Sequence, residues 1–156
     1  MAHAALAALH PVGEASRRTR VSVQGFGTLG RAAALSLAEA GATVVAVSDE
    51  FGSLVSRPGL DVEALLKDQQ GTPLDLTSAG TSAQVGPPES LFSEPVDAVV
   101  LAACEEGLTA DHAAIIQAEA VVVGANLGLS PAIESTLHQL GITVIPDFVG
   151  GCGGSA

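Results

Sequence analysis

The segment that most constrains this chain is a short β-branched run that leads into spaced glycines and then into a helical pattern. It reads Val21-Ser22-Val23-Gln24-Gly25-Phe26-Gly27-Thr28-Leu29-Gly30. In such a turn Gly25 permits the tight bend, Gly27 lets a pyrophosphate approach the backbone, and Gly30 allows the helix to pack closely against the strand. The first N–H groups of the helix and the positive end of its dipole attract phosphate. The segment therefore predicts a β-α-β unit that binds a dinucleotide.

The rest of the chain alternates strand-like and helix-like segments, a pattern typical of a parallel sheet covered by helices on both faces. The predicted strands are Val21 to Gln24, Thr43 to Val47, Ala98 to Ala102, Ala120 to Gly124 and Ile142 to Ile145. The predicted helices are Leu29 to Ala40, which Gly41 ends, Asp61 to Gln70, Thr109 to Ala118, and a helix that Ser130 and Pro131 begin and Gly141 ends. The Gly71 to Pro95 stretch is predicted as a connection with at most one short edge strand.

Composition limits the class of protein and the partners it can have. With 156 residues and 47% hydrophobic content, the chain is long enough for one domain with its own core. Seventeen acidic and six basic residues give a net charge of -11, which repels nucleic acid and anionic membrane surfaces. Cys104 and Cys152 are widely spaced, which favours a cytoplasmic protein over a disulfide-rich secreted one. The sequence contains no apolar run long enough to span a bilayer.

Two carboxylates follow the second predicted strand. Asp49 lies about 20 residues beyond Gly30, the spacing at which an acidic residue accepts hydrogen bonds from the adenosine ribose. Glu50 is its neighbour and the next arginine is Arg57, so a 2′-phosphate would meet negative charge, and we expect NAD to be preferred over NADP. The alternative is that the glycines only make turns and Asp49 is a solvated strand end.

The ends of the later strands supply further candidate cofactor contacts, because ligands bind beyond the carboxyl ends of parallel strands. Ala102 ends the third predicted strand and Ala103 follows it, and both are small enough to leave room for a flat ligand. Asn126 follows the fourth strand and offers both a donor and an acceptor. An equally good interpretation of Asn126 is a turn residue in a left-handed conformation.

Taken together, these segments resemble the nucleotide-binding domain of the glutamate, leucine, phenylalanine and valine dehydrogenases, and the glutamate dehydrogenases most closely. The resemblance runs from about Ala15 onward, with the motifs in the family's order. It is carried by Gln24-Gly25-Phe26-Gly27-Thr28-Leu29-Gly30, Ala46-Val47-Ser48-Asp49, Ala102-Ala103, Gly124-Ala125-Asn126 and Gly141-Ile142-Thr143-Val144-Ile145-Pro146-Asp147.

The resemblance implies a Rossmann-type, doubly wound α/β domain that holds a nicotinamide dinucleotide for the oxidative deamination of an L-amino acid to a 2-oxo acid. It implies that the pyrophosphate binds at the turn formed by Gly25, Phe26, Gly27, Thr28, Leu29 and Gly30. It assigns Asp49 to the adenosine ribose, and Ala102, Ala103 and Asn126 to the nicotinamide side. The predicted units are a leading helix and linker at 1–20, a dinucleotide-binding domain at 21–149 and a Gly-rich tail at 150–156.

Catalytic residues are the part that the sequence does not supply. The family's substrate domain, which carries the catalytic lysine and aspartate, has no counterpart in these residues, and Gly151-Cys152-Gly153-Gly154 stands where relatives carry Asn-Ala-Gly-Gly. The single lysine, Lys67, is better explained as an i,i+4 partner of Glu63. The histidines show no ligand spacing, so no metal site is predicted, and His112 is interpreted as a surface or capping residue.

Two functional hypotheses follow. The first is an NAD-binding domain of glutamate-dehydrogenase type that depends on a separate substrate domain or subunit, on which the leading helix would dock as a hinge unless that helix is a remnant. The second is a non-enzymatic module in which bound NAD shifts an interaction with a partner, which requires different NAD affinities in the two states.

The ribose assignment generates a prediction. Asp49→Ala should weaken NAD binding more than NADP binding, because it removes ribose hydrogen bonds and relieves repulsion of the 2′-phosphate. Titration of NADH and NADPH, followed by their fluorescence, measures both affinities. An equal loss for the two coenzymes would contradict the assigned preference.

Overall fold

A single seven-stranded sheet organises the domain. The computed structural model describes residues 19–67, 74, 83–103, 107–124 and 129–147. The strands are β1 (Arg20–Gln24), β2 (Thr43–Ser48), β3 (Ser53–Val55), β4 (Gln84–Gly86), β5 (Val96–Leu101), β6 (Ala118–Val123) and β7 (Thr143–Ile145). The helices are α1 (Thr28–Glu39), α2 (Val62–Lys67), α3 (Ala110–Ile115) and α4 (Pro131–Gln139), with a 3₁₀ helix at Pro88–Ser93.

The strand order places β1 at the centre of the sheet. The order is β4-β3-β2-β1-β5-β6-β7. β1 pairs in parallel with β2 and β5, and β5-β6 and β6-β7 are also parallel, whereas β3 runs antiparallel to β2 and β4. The chain thus places β2, β3 and β4 successively on one side of β1, and then returns to place β5, β6 and β7 on the other side. The predicted doubly wound, mostly parallel α/β fold is confirmed, and its switch point lies between β1 and β5.

Alternation along the strands builds one core on each face of the sheet. Val21 and Val23 of β1 pack with Ala33, Ala34 and Leu37 of α1 in the first core. The second core, on the other face, unites strand residues with the 3₁₀ helix, α3 and α4, and its members include Leu91, Phe92, Val99, Leu101, Val121 and Leu137. Because side chains of neighbouring positions point to opposite faces, the near-continuous apolar strands serve both cores.

The predicted caps are present. Ser130 Oγ accepts a hydrogen bond from Ile133 N with Pro131 in the first turn of α4, and Asp61 Oδ1 accepts one from Ala64 N at the start of α2. Gly41 follows α1 with φ +88°, the left-handed conformation that favours glycine at this position. Lys67 Nζ lies 3.9 Å from Glu63 Oε2 as the predicted i,i+4 pair.

Several boundaries differ from the predictions. The third helix was expected to reach Ala118 but ends at Ile115, because Ala118 already pairs with Val96 as the first residue of β6. Two features are new: the antiparallel strand β3, which returns directly from β2, and the 3₁₀ helix within the predicted connection. The short edge strand allowed for in that connection is β4.

Some predictions fall outside the described residues. They are the leading helix at Met1 to His10, the continuation of the second helix to Gln70, and the Gly-rich tail at 150–156. Within the described ranges, no helix combines the length and the apolar character needed to cross a membrane.

The junction between β1 and β5 generates a stability prediction. Gly25 has φ +89°, and a Cβ there would lie 2.6 Å from the backbone N and Cα of Ala103. Gly25→Ala should therefore lower the free energy of unfolding by more than about 3 kcal/mol, because it adds a backbone clash to the left-handed strain. Urea denaturation followed by circular dichroism measures the loss.

Gly41→Ala is the matched control. Gly41 has nearly the same φ, but a Cβ there has nothing within 4 Å. Its loss should stay near the conformational cost alone, about 1 kcal/mol. Equal losses of unfolding free energy in the two variants would show that the clash with Ala103 adds nothing to the destabilisation.

Candidate functional site

The glycine turn is held tightly against the neighbouring strands. Gly25 N donates a hydrogen bond to Ser48 O at the end of β2 (2.8 Å), and Ala102 N donates one to Gln24 O (2.8 Å). A Cβ on Gly30 would lie 1.7 Å from the carbonyl oxygen of Gly25, so α1 begins in backbone contact with the turn. The predicted roles of the first and third glycines, a tight turn and close helix packing, are confirmed.

Gly27 differs from its two neighbours in the motif. Its φ of -77° suits any residue, and a Cβ there would meet nothing within 4 Å. Neither backbone strain nor packing within the described residues requires a glycine here. The space above its backbone is open at the place where α1 begins, which is the geometry that close approach of a ligand needs.

The first turn of α1 begins beside this open space. Gly27 is its N-cap and provides no side-chain hydrogen bond, and the first described helical bond runs from Arg31 N to Gly27 O (2.9 Å). The preceding N–H groups of the first turn are the ones that helices leave without internal partners. Since α1 has 12 residues, its dipole places partial positive charge at this end, despite the acidic character of the whole chain.

Phe26 and Arg31 fix the conformation of the turn. The Phe26 side chain is buried in the first core, at 1% exposure. Arg31 Nε donates a hydrogen bond to Phe26 O (2.9 Å), and its guanidinium lies 5.6 Å from the centre of the Phe26 ring. Phe26 can therefore offer a ligand its backbone but not its ring.

Asp49 is an organised carboxylate, in contrast to the alternative of a solvated strand end. Its Oδ1 accepts hydrogen bonds from Phe51 N (2.8 Å) and Gly52 N (3.1 Å), and its Oδ2 accepts one from Leu74 N. The two bonds to Oδ1 shape the turn between β2 and β3, and the bond to Oδ2 ties that turn to Leu74. Substitution of Asp49 will therefore perturb this turn as well as ligand affinity, and its binding data need a parallel stability measurement.

A cleft of about 450 Å³ collects these groups at the carboxyl ends of β1, β2 and β5. This volume lies within the range of small-molecule sites. Of the predicted cofactor residues, it brings together Gly25, Phe26, Gly27, Asp49, Glu50 and Ala103. It does not include Thr28, Leu29 and Gly30, which continue into α1, or Ala102, which is buried beneath the turn. Asn126 lies outside the described residues.

Sequence reasoning missed one wall of the cleft. Pro88, Glu89 and Phe92 of the 3₁₀ helix line it, together with His112 of α3. The Phe92 and His112 rings are stacked, with their centroids 4.4 Å apart and their planes inclined by 21°. Of the two roles predicted for His112, surface or capping, the structure shows capping, because its Nδ1 accepts from Thr109 N (3.2 Å) while Thr109 Oγ1 accepts from His112 N (3.3 Å). No local sequence pattern predicts that the rings of Phe92 and His112 are in contact.

Other chemical groups of the described residues lie elsewhere. The Lys67 side chain is 76% exposed, forms its ion pair on α2, and does not line the cleft. No group of three or more histidine, cysteine or acidic side chains suited to a metal ion occurs in the described part of the chain. The described cleft therefore offers binding groups, while a lysine base is absent from its lining.

A larger cavity, of about 810 Å³, lies at the opposite ends of the strands. It is lined by residues at the amino ends of β1, β5 and β6, among them Arg20, Val96, Asp97 and Ala118. Size alone does not make it the ligand site, because ligands of parallel sheets bind at the carboxyl ends of the strands. The smaller cleft is the one that combines the open glycine, the helix N-terminus and the carboxylates.

Comparison with known proteins agrees with this geometry. Residues 1–156 match the family model of the Glutamate/Leucine/Phenylalanine/Valine dehydrogenases. The chain is 37% identical over 150 residues to a glutamate dehydrogenase of Thermotoga maritima, covering 94% of this chain and 35% of that protein. It is also 37% identical to an NADP-specific glutamate dehydrogenase of Halobacterium salinarum, covering 86% of this chain and 32% of the relative.

A solved structure shows the same similarity in three dimensions. The hetero-hexameric glutamate dehydrogenase from Thermus thermophilus, in a Leu-bound form, superposes with a TM-score of 0.79 at 37% identity. The match covers 98% of this chain and 35% of that one. The chain thus spans about a third of the length of the relatives it matches.

Proposed function

Because the chain belongs to the glutamate/leucine/phenylalanine/valine dehydrogenase family, we propose that it is the NAD-binding domain of an amino-acid dehydrogenase of glutamate type. In this proposal residues 21–149 hold the coenzyme for the reversible oxidative deamination of an L-amino acid to a 2-oxo acid and ammonia. The observation that carries it is the open space over Gly27, where the N-terminus of α1 and the Asp49 carboxylate meet in one cleft.

The pyrophosphate is assigned to the turn between Gly25 and Gly30. Gly27 leaves a place there that a Cβ would fill, and no described side chain caps α1. The N–H groups of the first turn can then donate to phosphate oxygens, and the helix dipole favours their negative charge. Anchoring of the turn by Ser48 O and Arg31 keeps these donors in place before a ligand arrives, which lowers the ordering cost of binding.

The adenosine ribose is assigned to Asp49. Its oxygens already accept three backbone hydrogen bonds, but an ionised carboxylate has about four acceptor positions, so an acceptor position remains for a ribose hydroxyl. The nicotinamide end is assigned to the β5 side of the switch point, where Ala103 is exposed and has no bulky side chain. When bound there, the nicotinamide ring supplies the hydride acceptor of the deamination.

The substrate is assigned to a separate domain or subunit. Oxidation of an amino acid needs a cation for the substrate carboxylate and a base for the proton transfers. Among the described residues that line the cleft, no lysine or arginine is present. In this proposal the chain binds the coenzyme and its partner binds the amino acid. The proposed location is the cytoplasm, which the cysteine content favours.

NAD is the proposed coenzyme, although the family includes an NADP-specific relative. Three carboxylates line the cleft: Asp49 and Glu50 after β2, and Glu89 in the first turn of the 3₁₀ helix. A 2′-phosphate beside them would meet repulsion, while a 2′-hydroxyl would meet an acceptor.

Gly27→Ser provides the sharpest test of the site. Serine is a favourable N-cap residue, so the free energy of unfolding should stay equal or rise by a few tenths of a kcal/mol. The added side chain would fill the open space and compete for the helix donors, so NADH affinity should fall at least about tenfold. NADH fluorescence titration and urea denaturation measure the two effects separately.

Ala32→Ser is the control, because it adds the same hydroxymethyl group to an exposed position of α1 away from the turn. Its NADH affinity should match that of the wild-type chain. Unchanged NADH affinity in Gly27→Ser, or absence of NADH binding by the folded wild-type chain in calorimetry, would overturn the proposal.

Coenzyme choice can be tested without disturbing the Asp49 turn. The double substitution Glu50→Gln and Glu89→Gln removes two exposed charges and should raise the ratio of NADP to NAD affinity about fivefold at low salt, with a smaller effect at high salt. Competition of NAD and NADP against NADH measures the ratio. Glu119→Gln, at the opposite edge of the sheet, should leave it unchanged, and an unchanged ratio in the double variant would remove these carboxylates as the basis of selectivity.

A further inference from the structure

The stacked rings of Phe92 and His112 line the cleft, and neither core packing nor helix capping requires an aromatic ring at position 112. Phe92 is 1% exposed and completes the second core, whereas His112 is only partly buried, and both line the cleft. The cap of α3 needs an acceptor at position 112, not an aromatic ring. The ring therefore adds a flat, polarizable surface to a wall that also contains Pro88.

The 3₁₀ helix of this wall is held beside the turn that contains Asp49, because Ser53, the residue after that turn, donates a hydrogen bond from its Oγ to Pro87 O (2.9 Å). The same lining includes Ser48, Asp49 and Glu50 at the end of β2, together with the turn at Gly27. A dinucleotide with its phosphates at α1 and one ribose at Asp49 has its purine base next to that ribose. The base must then lie against the walls of this cleft, and an aromatic wall is the surface on which bases stack.

The hydrogen bonding of His112 also defines what its ring can offer. Nδ1 accepts a hydrogen bond from Thr109 N, so the proton of the neutral ring is on Nε2, which is a donor. Purine ring nitrogens are acceptors. The imidazole can therefore contact a purine in either of two ways, by stacking with its face or by donating from Nε2 at its edge to a purine ring nitrogen, whereas the ring nitrogen of nicotinamide is bonded to ribose and cannot accept.

We propose that His112, supported by Phe92, is a specificity-determining residue that contacts the adenine base of the coenzyme. The inference rests on the proposed dinucleotide site and deepens it, because it assigns the base end of the cleft to an element that lies about 60 residues beyond the Asp49 strand end. It also distinguishes the two halves of the coenzyme, since the adenosine half should depend on His112 and the nicotinamide half should not.

The test uses His112→Asn, because asparagine can still accept the hydrogen bond from Thr109 N while lacking the ring. ADP-ribose competition against NADH should show affinity about tenfold weaker than for the wild-type chain, the loss expected for one base stacking contact. Thermal unfolding should change little. Thr109→Ala is the control: it removes the Oγ1 acceptor and weakens the cap but keeps the imidazole and the backbone N–H that orients it, so stability should fall while ADP-ribose affinity stays within twofold.

Proton NMR of the histidine rings gives a readout that a purely structural role would not move. The His112 ring signal is identified by its absence in His112→Asn, and it should shift when ADP-ribose is added but not when nicotinamide mononucleotide is added at the same concentration. Wild-type ADP-ribose affinity in His112→Asn, or an equal loss in Thr109→Ala, would overturn the inference while leaving the dinucleotide site intact. Failure of the wild-type chain to bind NADH would instead remove the proposed function.

Discussion

The close contact between the end of β1 and the end of β5 is the constraint on which the rest of the site depends. Gly25 lies against the backbone of Ala103 at a distance that admits no Cβ, and its N–H is bound to Ser48 O. This contact joins the three central strands at the switch point of the sheet. It also directs the chain into α1, so that the first turn of the helix opens above the strand ends.

The electrostatic field at the N-terminus of α1, rather than the net charge of the chain, determines which ligands the glycine turn attracts. The chain carries a net charge of -11, yet the N-terminus of α1, whose first-turn N–H groups have no partner within the helix, begins beside an open glycine. Dipole and hydrogen-bond donors act over a few ångströms, whereas distributed surface charge is screened over a Debye length of about 8 to 10 Å. In the proposed site, a phosphate would bind at this helix end although the net charge repels a polyanion, and the carboxylates after β2 would disfavour a coenzyme that carries a further phosphate.

Much of the fold was predictable because its signals are local. The apolar strands, the caps at Ser130 and Asp61, and the left-handed Gly41 each follow from a few adjacent residues. The end of the third helix was mispredicted because Ala118 suits both a helix and a strand, and its pairing with Val96 settles the choice. The strand β3 was missed because three residues carry too short a pattern, and it exists through its pairing with β2 on one side and β4 on the other.

The amino-acid sequence by itself determined the class of fold, the glycine turn and the acidic residue after β2, since each depends on spacing along the chain and on the conformational freedom of glycine. Only the tertiary structure decided how the cleft is walled. It brought Phe92 and His112 into contact with each other and placed both in the lining of the cleft that contains Asp49, and it showed that Asp49 accepts hydrogen bonds from three backbone amides. The physical reason is that ring stacking and carboxylate hydrogen bonds join residues that the sheet order makes neighbours, and strand order is a property of the packed sheet rather than of any local run of residues.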